Sequence, residues 1–240
     1  FIDSITAFDE AKSLLDDKNA ELDKAISEAN DLVNGENTAL DESLRSLLET
    51  KISETKAIKI TAPTMAETVK EIDTQTTEMN TTDALKSLNE AYTAFNNSVK
   101  QYELVNNPAE SYVIKCLEKV EHVIGISAVT EDNDPNGHLG KAGGYTATVY
   151  FTCDWVNQAN VIGNTIIDKG TDGGGAIEVY ANVEDAESRD SYLAGFDGGV
   201  LASGSHTVVG TCVVRTSDEL AASKQKELEA AVIGALTKLE

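Results

Sequence analysis

The chain has 240 residues and a formal net charge of -22, with 41 acidic against 19 basic side chains. So evenly acidic a surface argues against nucleic acid and against adsorption to anionic lipid, both of which need clustered Lys and Arg. No run of about eighteen apolar residues is present, so no segment is expected to span a membrane.

Glycine divides the chain. Gly35 is the only glycine before Gly125, and the other sixteen fall between Gly125 and Gly234. A helix interior disfavours glycine, whereas a sheet with turns needs it, so the shift predicts a helical domain over 1–107 and an α+β domain over 108–240. The sequence starts at Phe1 without an initiator Met or a signal peptide. It reads as trimmed from a longer precursor, and the trimmed part is a place for an anchor.

In the first half, Ile5, Phe8, Ala11, Leu15, Leu22, Ile26, Ala29 and Val33 keep a helical period. They predict a helix from Ser4, its expected cap, to Val33, ended by Asn34 and Gly35. Leu40, Leu44, Leu47, Leu48, Ile52 and Ile58 predict a second, antiparallel neighbour across a short loop. Met65, Val69, Ile72 and Met79 keep helical spacing against opposing threonines, with a break expected near Asn80. The stripe resumes at Ala84, Leu88, Ala91, Phe95 and Val99. The sum is an elongated bundle of three or four helices without a histidine, read as a spacer or protein-contact module.

The stretch ALKSLNEAYTAFNNSVKQYE, with alanine, leucine and aromatic residues at helical spacing, resembles the FIVAR-type helical modules of Gram-positive surface proteins.

Beyond Pro108 the pattern predicts a helix to about Ile124, strands over 124–131, 145–155, 176–181 and 206–215, and helices over 183–195 and 217–238. Strands that outnumber their connecting helices argue for a mostly antiparallel sheet covered on one face by helices. The strings EDNDPNGHLGKAGGYTATVYF, EVYANVEDAESRDSYL and HTVVGTCVVRTSDELAASKQKELEAAV resemble C-terminal domains of secreted or anchored Gram-positive proteins with no known activity. That resemblance implies an extracellular location and this architecture, and it supplies no catalytic residues.

The loop between the first two strands places Asp132, Asp134 and Asn136 at alternate positions before Gly137. This is the opening half of a calcium loop, in which side-chain oxygens converge on a hard cation. The closing half fails, because Gly143 stands where a bidentate Glu is needed and strands replace the flanking helices. Asp, Asn, Pro and Gly also build tight loops for backbone reasons alone, so a cation site and a turn cluster both stand as readings.

Cys116, Cys153 and Cys212 all fall on apolar faces and are expected as buried free thiols. A Cys153–Cys212 disulfide requires their strands to be neighbours. The cluster Gly173, Gly174 and Gly175 reads as a flexible turn, since no phosphate loop has this setting. His206, near Ser203, Ser205 and Asp197, invites a hydrolase reading but lacks a nucleophile elbow. Arg215 is expected to pair with Glu178 or Asp218.

These features predict a non-enzymatic, extracellular cell-envelope protein whose helical stalk presents a small α+β domain to a protein or cell-surface ligand, with adhesion as one role. The rival is a hydrolase or other enzyme with its site between the 132–144 and 170–175 loops. An enzyme should show a concave pocket with perturbed titratable groups, and a pure spacer should bind nothing.

Overall fold

The computed structural model describes residues 2–60, 81–199 and 204–240. The chain divides into two compact units, Phe1–Lys100 and Gln101–Glu240. The expected helix from Met65 to Met79 and its break lie outside the described residues.

In the first unit, α1 (Ile2–Asn34) and α2 (Ser43–Ala57) pack with α3 (Thr81–Val105) around Leu15, Leu22, Leu48, Ile52, Leu88 and Phe95. Helix α1 begins at Ile2, so Ser4 lies inside the helix and does not cap it. Its far end is held by a side chain from the next helix. Arg45 donates to Val33 O and Asn37 O, both at 2.5 Å, and its guanidinium lies 4.8 Å from the Phe95 ring centroid. The α1–α2 loop is fixed to α3 through Ser98, whose carbonyl accepts from Leu40 N (3.1 Å) and whose hydroxyl accepts from Asp41 N (2.8 Å).

The second unit contains the last turn of α3, α4 (Glu110–Leu117), β1 (Val123–Ala128), β2 (Ala147–Cys153), α5 (Ile166–Lys169), a 3-10 turn (Gly170–Gly173), β3 (Gly174–Val179), α6 (Val183–Ala194), β4 (His206–Val209), β5 (Cys212–Thr216) and α7 (Ala222–Leu236). The five strands form one sheet in the order β1-β2-β3-β5-β4, and every pairing is antiparallel.

Helices cover both faces of this sheet rather than one. Register aligns Thr148 with Glu178 and Glu178 with Val213, so these share a face with Tyr150, Ala176 and Arg215, and α6 lies over them. The opposite face carries Val149, Phe151, Ile177, Cys212 and Val214, all fully buried. Helices α4 and α7 pack there, against β2 and β5 respectively.

Four sequence expectations shift here. Helix α4 stops at Leu117, where Lys119 N and Val120 N tighten onto Cys116 O and Leu117 O (both 3.1 Å), and the chain then turns at His122, whose φ of 74° lies in the left-handed region. The run expected as one strand over 206–215 is a hairpin, β4 and β5 joined by Gly210 and Thr211, with Gly210 at φ 59° as a type II′ turn requires. Gly174 and Gly175 belong to β3 and are buried, not a flexible turn. A Cβ at Gly175 would stand 2.3 Å from Arg215 O and 2.5 Å from the Phe151 ring. Helix α7 starts at Ala222, since Ser217 ends β5 in a turn by donating to Asp172 O (2.7 Å) and accepting from Glu219 N (3.1 Å).

The three cysteines are free and buried. Strand β3 separates β2 from β5, and Cys212 pairs opposite Val179 while Thr152 pairs opposite Gly174, at the other end of β3. That offset is roughly 15–20 Å of strand, so a Cys153–Cys212 disulfide cannot close.

Candidate functional site

The face beneath α6 is built around a charge in an apolar strand. Glu178 sits at an inward position of β3 and is fully buried. Arg189, nearly two helical turns into α6, meets it with Nε (2.8 Å) and Nη2 (3.0 Å), while Arg215 on β5 donates from Nη1 (2.8 Å) and Tyr180 from its hydroxyl (2.9 Å). Burial pushes the Glu178 carboxyl up, but the two guanidiniums outweigh it and hold the group below the ordinary carboxylate range.

Two clefts open above this cluster. One, of about 540 Å³, runs between the loop after β1 (Pro135, Asn136), the 3-10 turn (Thr171, Asp172) and α6 (Arg189, Tyr192). The other, of about 470 Å³, lies between His138, Tyr145, Tyr180, Asp185 and the same Asn136, Arg189 and Tyr192. Tyr145, Tyr150, Tyr180, Tyr192 and Phe196 line them, five of the aromatics in a chain with only seven Tyr, five Phe and one Trp. The first cleft occupies the space between the two loops that the sequence marks for a site.

The loop itself is held from inside. Asp134 accepts from Asn136 N (3.0 Å), Leu139 N (2.8 Å) and the Tyr145 hydroxyl. Burial raises the Asp134 carboxyl, yet these hydrogen bonds win and bring its pKa down to about 2. Of the three residues that the sequence offers to a cation, Asp134 and Asn136 both lie at the Tyr145 hydroxyl. Asp134 is spent on the loop, Asn136 lines both clefts, and Asp132 is exposed. Among the described residues no group of three or more His, Cys, Asp or Glu is placed to hold a metal ion. A cation at Asp134 would compete with the Tyr145 and Leu139 donors.

Asp134→Ala is therefore expected to destabilise the protein by about 1–2 kcal/mol, equally in EDTA and in millimolar calcium. Because the folded pKa is depressed, the contribution is present above the ordinary Asp value of about 3.9 and fades as pH falls toward 2. Thermal unfolding at pH 7 and pH 3 checks both statements. A calcium-dependent rise in the wild-type melting temperature, lost in the variant, would reassign those oxygens to a cation.

The histidines do other work. His206 meets Asp190 through Nδ1 (2.6 Å) and Asp197 through Nε2 (3.4 Å), so carboxylates face both ring nitrogens and neither is directed at a serine. Ser205 bonds Thr216 (2.6 Å) and Glu229 (2.8 Å) instead, and Ser203 lies outside the described residues. His138 is exposed beside Tyr145, with ring centroids 6.3 Å apart. His122 bonds Asp154 (3.0 Å) and stacks on Trp155 (4.1 Å) at the start of β1.

Arg189 and Tyr192 are the cleft residues that sequence reasoning missed. A signal for the first was present: Ala176, Glu178 and Tyr180 alternate on one face of an apolar strand, and a carboxylate buried there demands a cation. With so few arginines in this half, Arg189 was a natural partner alongside Arg215. No protein family model, no curated protein and no solved structure matches this chain.

Proposed function

We propose that the chain is part of an extracellular cell-envelope protein in which the helical unit is a spacer and the α+β unit is a binding module. The observation that carries this reading is the paired cleft, with its aromatic walls and its ion-paired floor. Such concave, aromatic-lined sites with few fixed polar groups are what ligands select. A pure spacer has no use for one. The acidic surface and the Gram-positive likeness of the quoted strings favour an outward-facing setting, with adhesion as the role.

An enzyme in the same cleft is the second reading, and Asp172 is what favours it. Burial, and then the neighbouring Asp218 and Glu219, raise its carboxyl, the pattern of a general acid. Burial shifts the hydroxyls of Tyr145, Tyr150 and Tyr180 upward, which makes these three poor acids at neutral pH.

The test is made on intact cells of the source organism and on isolated envelopes. A membrane-impermeant biotin reagent should label the chain on intact cells, and the purified chain should sediment with envelopes. Asn136→Ala/Tyr150→Phe should sediment at least about fivefold less, since it removes polar contacts in the cleft. Labelling only after lysis would sink the envelope assignment, and unchanged sedimentation of the double variant would take the cleft out of it.

A further inference from the structure

The two clefts meet at Asn136, Arg189 and Tyr192, and the chemistry at that junction is specific. Arg189 gives Nε and Nη2 to Glu178, so its remaining Nη1 edge belongs to the cleft wall, with the side chain one-fifth exposed. The Asn136 side chain sits beside the hydroxyls of both Tyr145 and Tyr150. Tyr150 projects from β2 into the first cleft. Arg189 also lies 5.5 Å from the centroid of Tyr192, a ring that is 60% exposed and meets Phe196 edge-on at 5.0 Å.

The spare edge of the Arg189 guanidinium is what favours an anion here. Glu178 engages both Arg189 and Arg215, and the charged groups of the first cleft and its floor, Arg189, Arg215 and Lys169 against Glu178, Asp168 and Asp172, balance one another. Of the other charged groups in the first cleft, Asp168 is engaged with Thr165 in a helix cap (3.0 Å), and Lys169 is held by Gln158 (3.0 Å). Asp172 is the remaining acid, and burial raises its carboxyl. In the second cleft Asp185 is tied to Asn182 (2.8 Å).

We propose that this junction binds a small ligand carrying a carboxylate next to a flat ring. The carboxylate is taken by the Arg189 Nη1 edge, the Asn136 amide and the Tyr150 hydroxyl, and the ring lies against Tyr192. Glu178 fixes the guanidinium in advance, so little side-chain freedom is lost on binding. Arginine suits the task because its planar fork serves Glu178 with one edge and a second carboxylate with another. This assignment rests on the reading of the cleft as a binding site.

The probe is phenylacetate, with phenylacetamide as its uncharged counterpart. Each is titrated to about 20 mM into the isotope-labelled full chain and followed by two-dimensional amide NMR. Phenylacetate should shift amides of the 135–139 loop, the 170–173 turn and the second half of α6, and should bind roughly tenfold more tightly than the amide. Tyr150→Phe and Asn136→Ala should each weaken phenylacetate several-fold while leaving the spectrum folded, and Arg189→Lys should weaken it most. Equal binding of the two probes, shifts confined to surface lysines elsewhere, or no shift at the highest concentration would overturn the proposal. If phenylacetate binds as described while envelope sedimentation fails, the ligand class stands and the cell-envelope reading falls.

Discussion

Glu178→Ala is expected to lower the stability of the α+β unit by about 3–5 kcal/mol, among the largest effects of any single substitution in it. The residue is fully buried, and its two oxygens receive four hydrogen bonds, from Arg189, Arg215 and Tyr180. Removing the carboxylate takes the shared counter-charge away from two guanidiniums on a buried sheet face, and that loss sets the cost more than the lost contacts do. Glu178→Gln keeps an acceptor but not the charge, so it should lie between the two. Urea unfolding followed by near-ultraviolet signal gives the comparison, and a loss below about 1 kcal/mol would mean that water reaches the arginines. The pH dependence has a definite sign. Since the folded pKa of Glu178 is depressed, its contribution is full above the ordinary Glu value of about 4.3 and disappears as pH falls through the folded value.

Phe95→Ala should cost the helical unit a similar about 3–5 kcal/mol. The ring is fully buried, shares a core with Leu22, Leu48, Ile52 and Leu88, and carries Arg45 on its face. Truncation opens a cavity and also frees the guanidinium that satisfies Val33 O and Asn37 O at the end of α1. Phe95→Leu keeps most of the apolar volume and should recover about half of the loss. Helical circular dichroism against urea reads both, and equal midpoints for the two variants would show that the ring face, not the volume, carries the effect.

The sequence makes some of this legible, for identifiable reasons. Helices α1, α2 and α3 follow from period alone, because their apolar stripes face one shared core. The buried thiols of Cys153 and Cys212 follow from strand alternation, and that of Cys116 from a helical stripe. The β4–β5 hairpin was hidden because Val208, Val209, Cys212, Val213 and Val214 make one apolar run, and the only sign of a turn inside it is Gly210 followed by Thr211. The glycines of β3 look like punctuation in the sequence. In the fold they are strand residues kept small by the close approach of Phe151 and the β5 backbone, which no local pattern records. The cleft was legible as a place, between two named loops, and not as chemistry. Its walls come from α6, a helix whose exposed Tyr192 looks in sequence like an ordinary surface residue.

The buried thiols have a consequence for the lifetime of the folded protein. Burial raises Cys116 and Cys153, and it takes Cys212 up to about 12, so at pH 7 Cys212 stays a thiol. Thiolate is the species that exchanges with disulfides and meets oxidants. In an oxidising medium the chain would thus age at the rate at which its second unit opens, and the packing around α4 and β5 that makes it stable also makes it chemically durable.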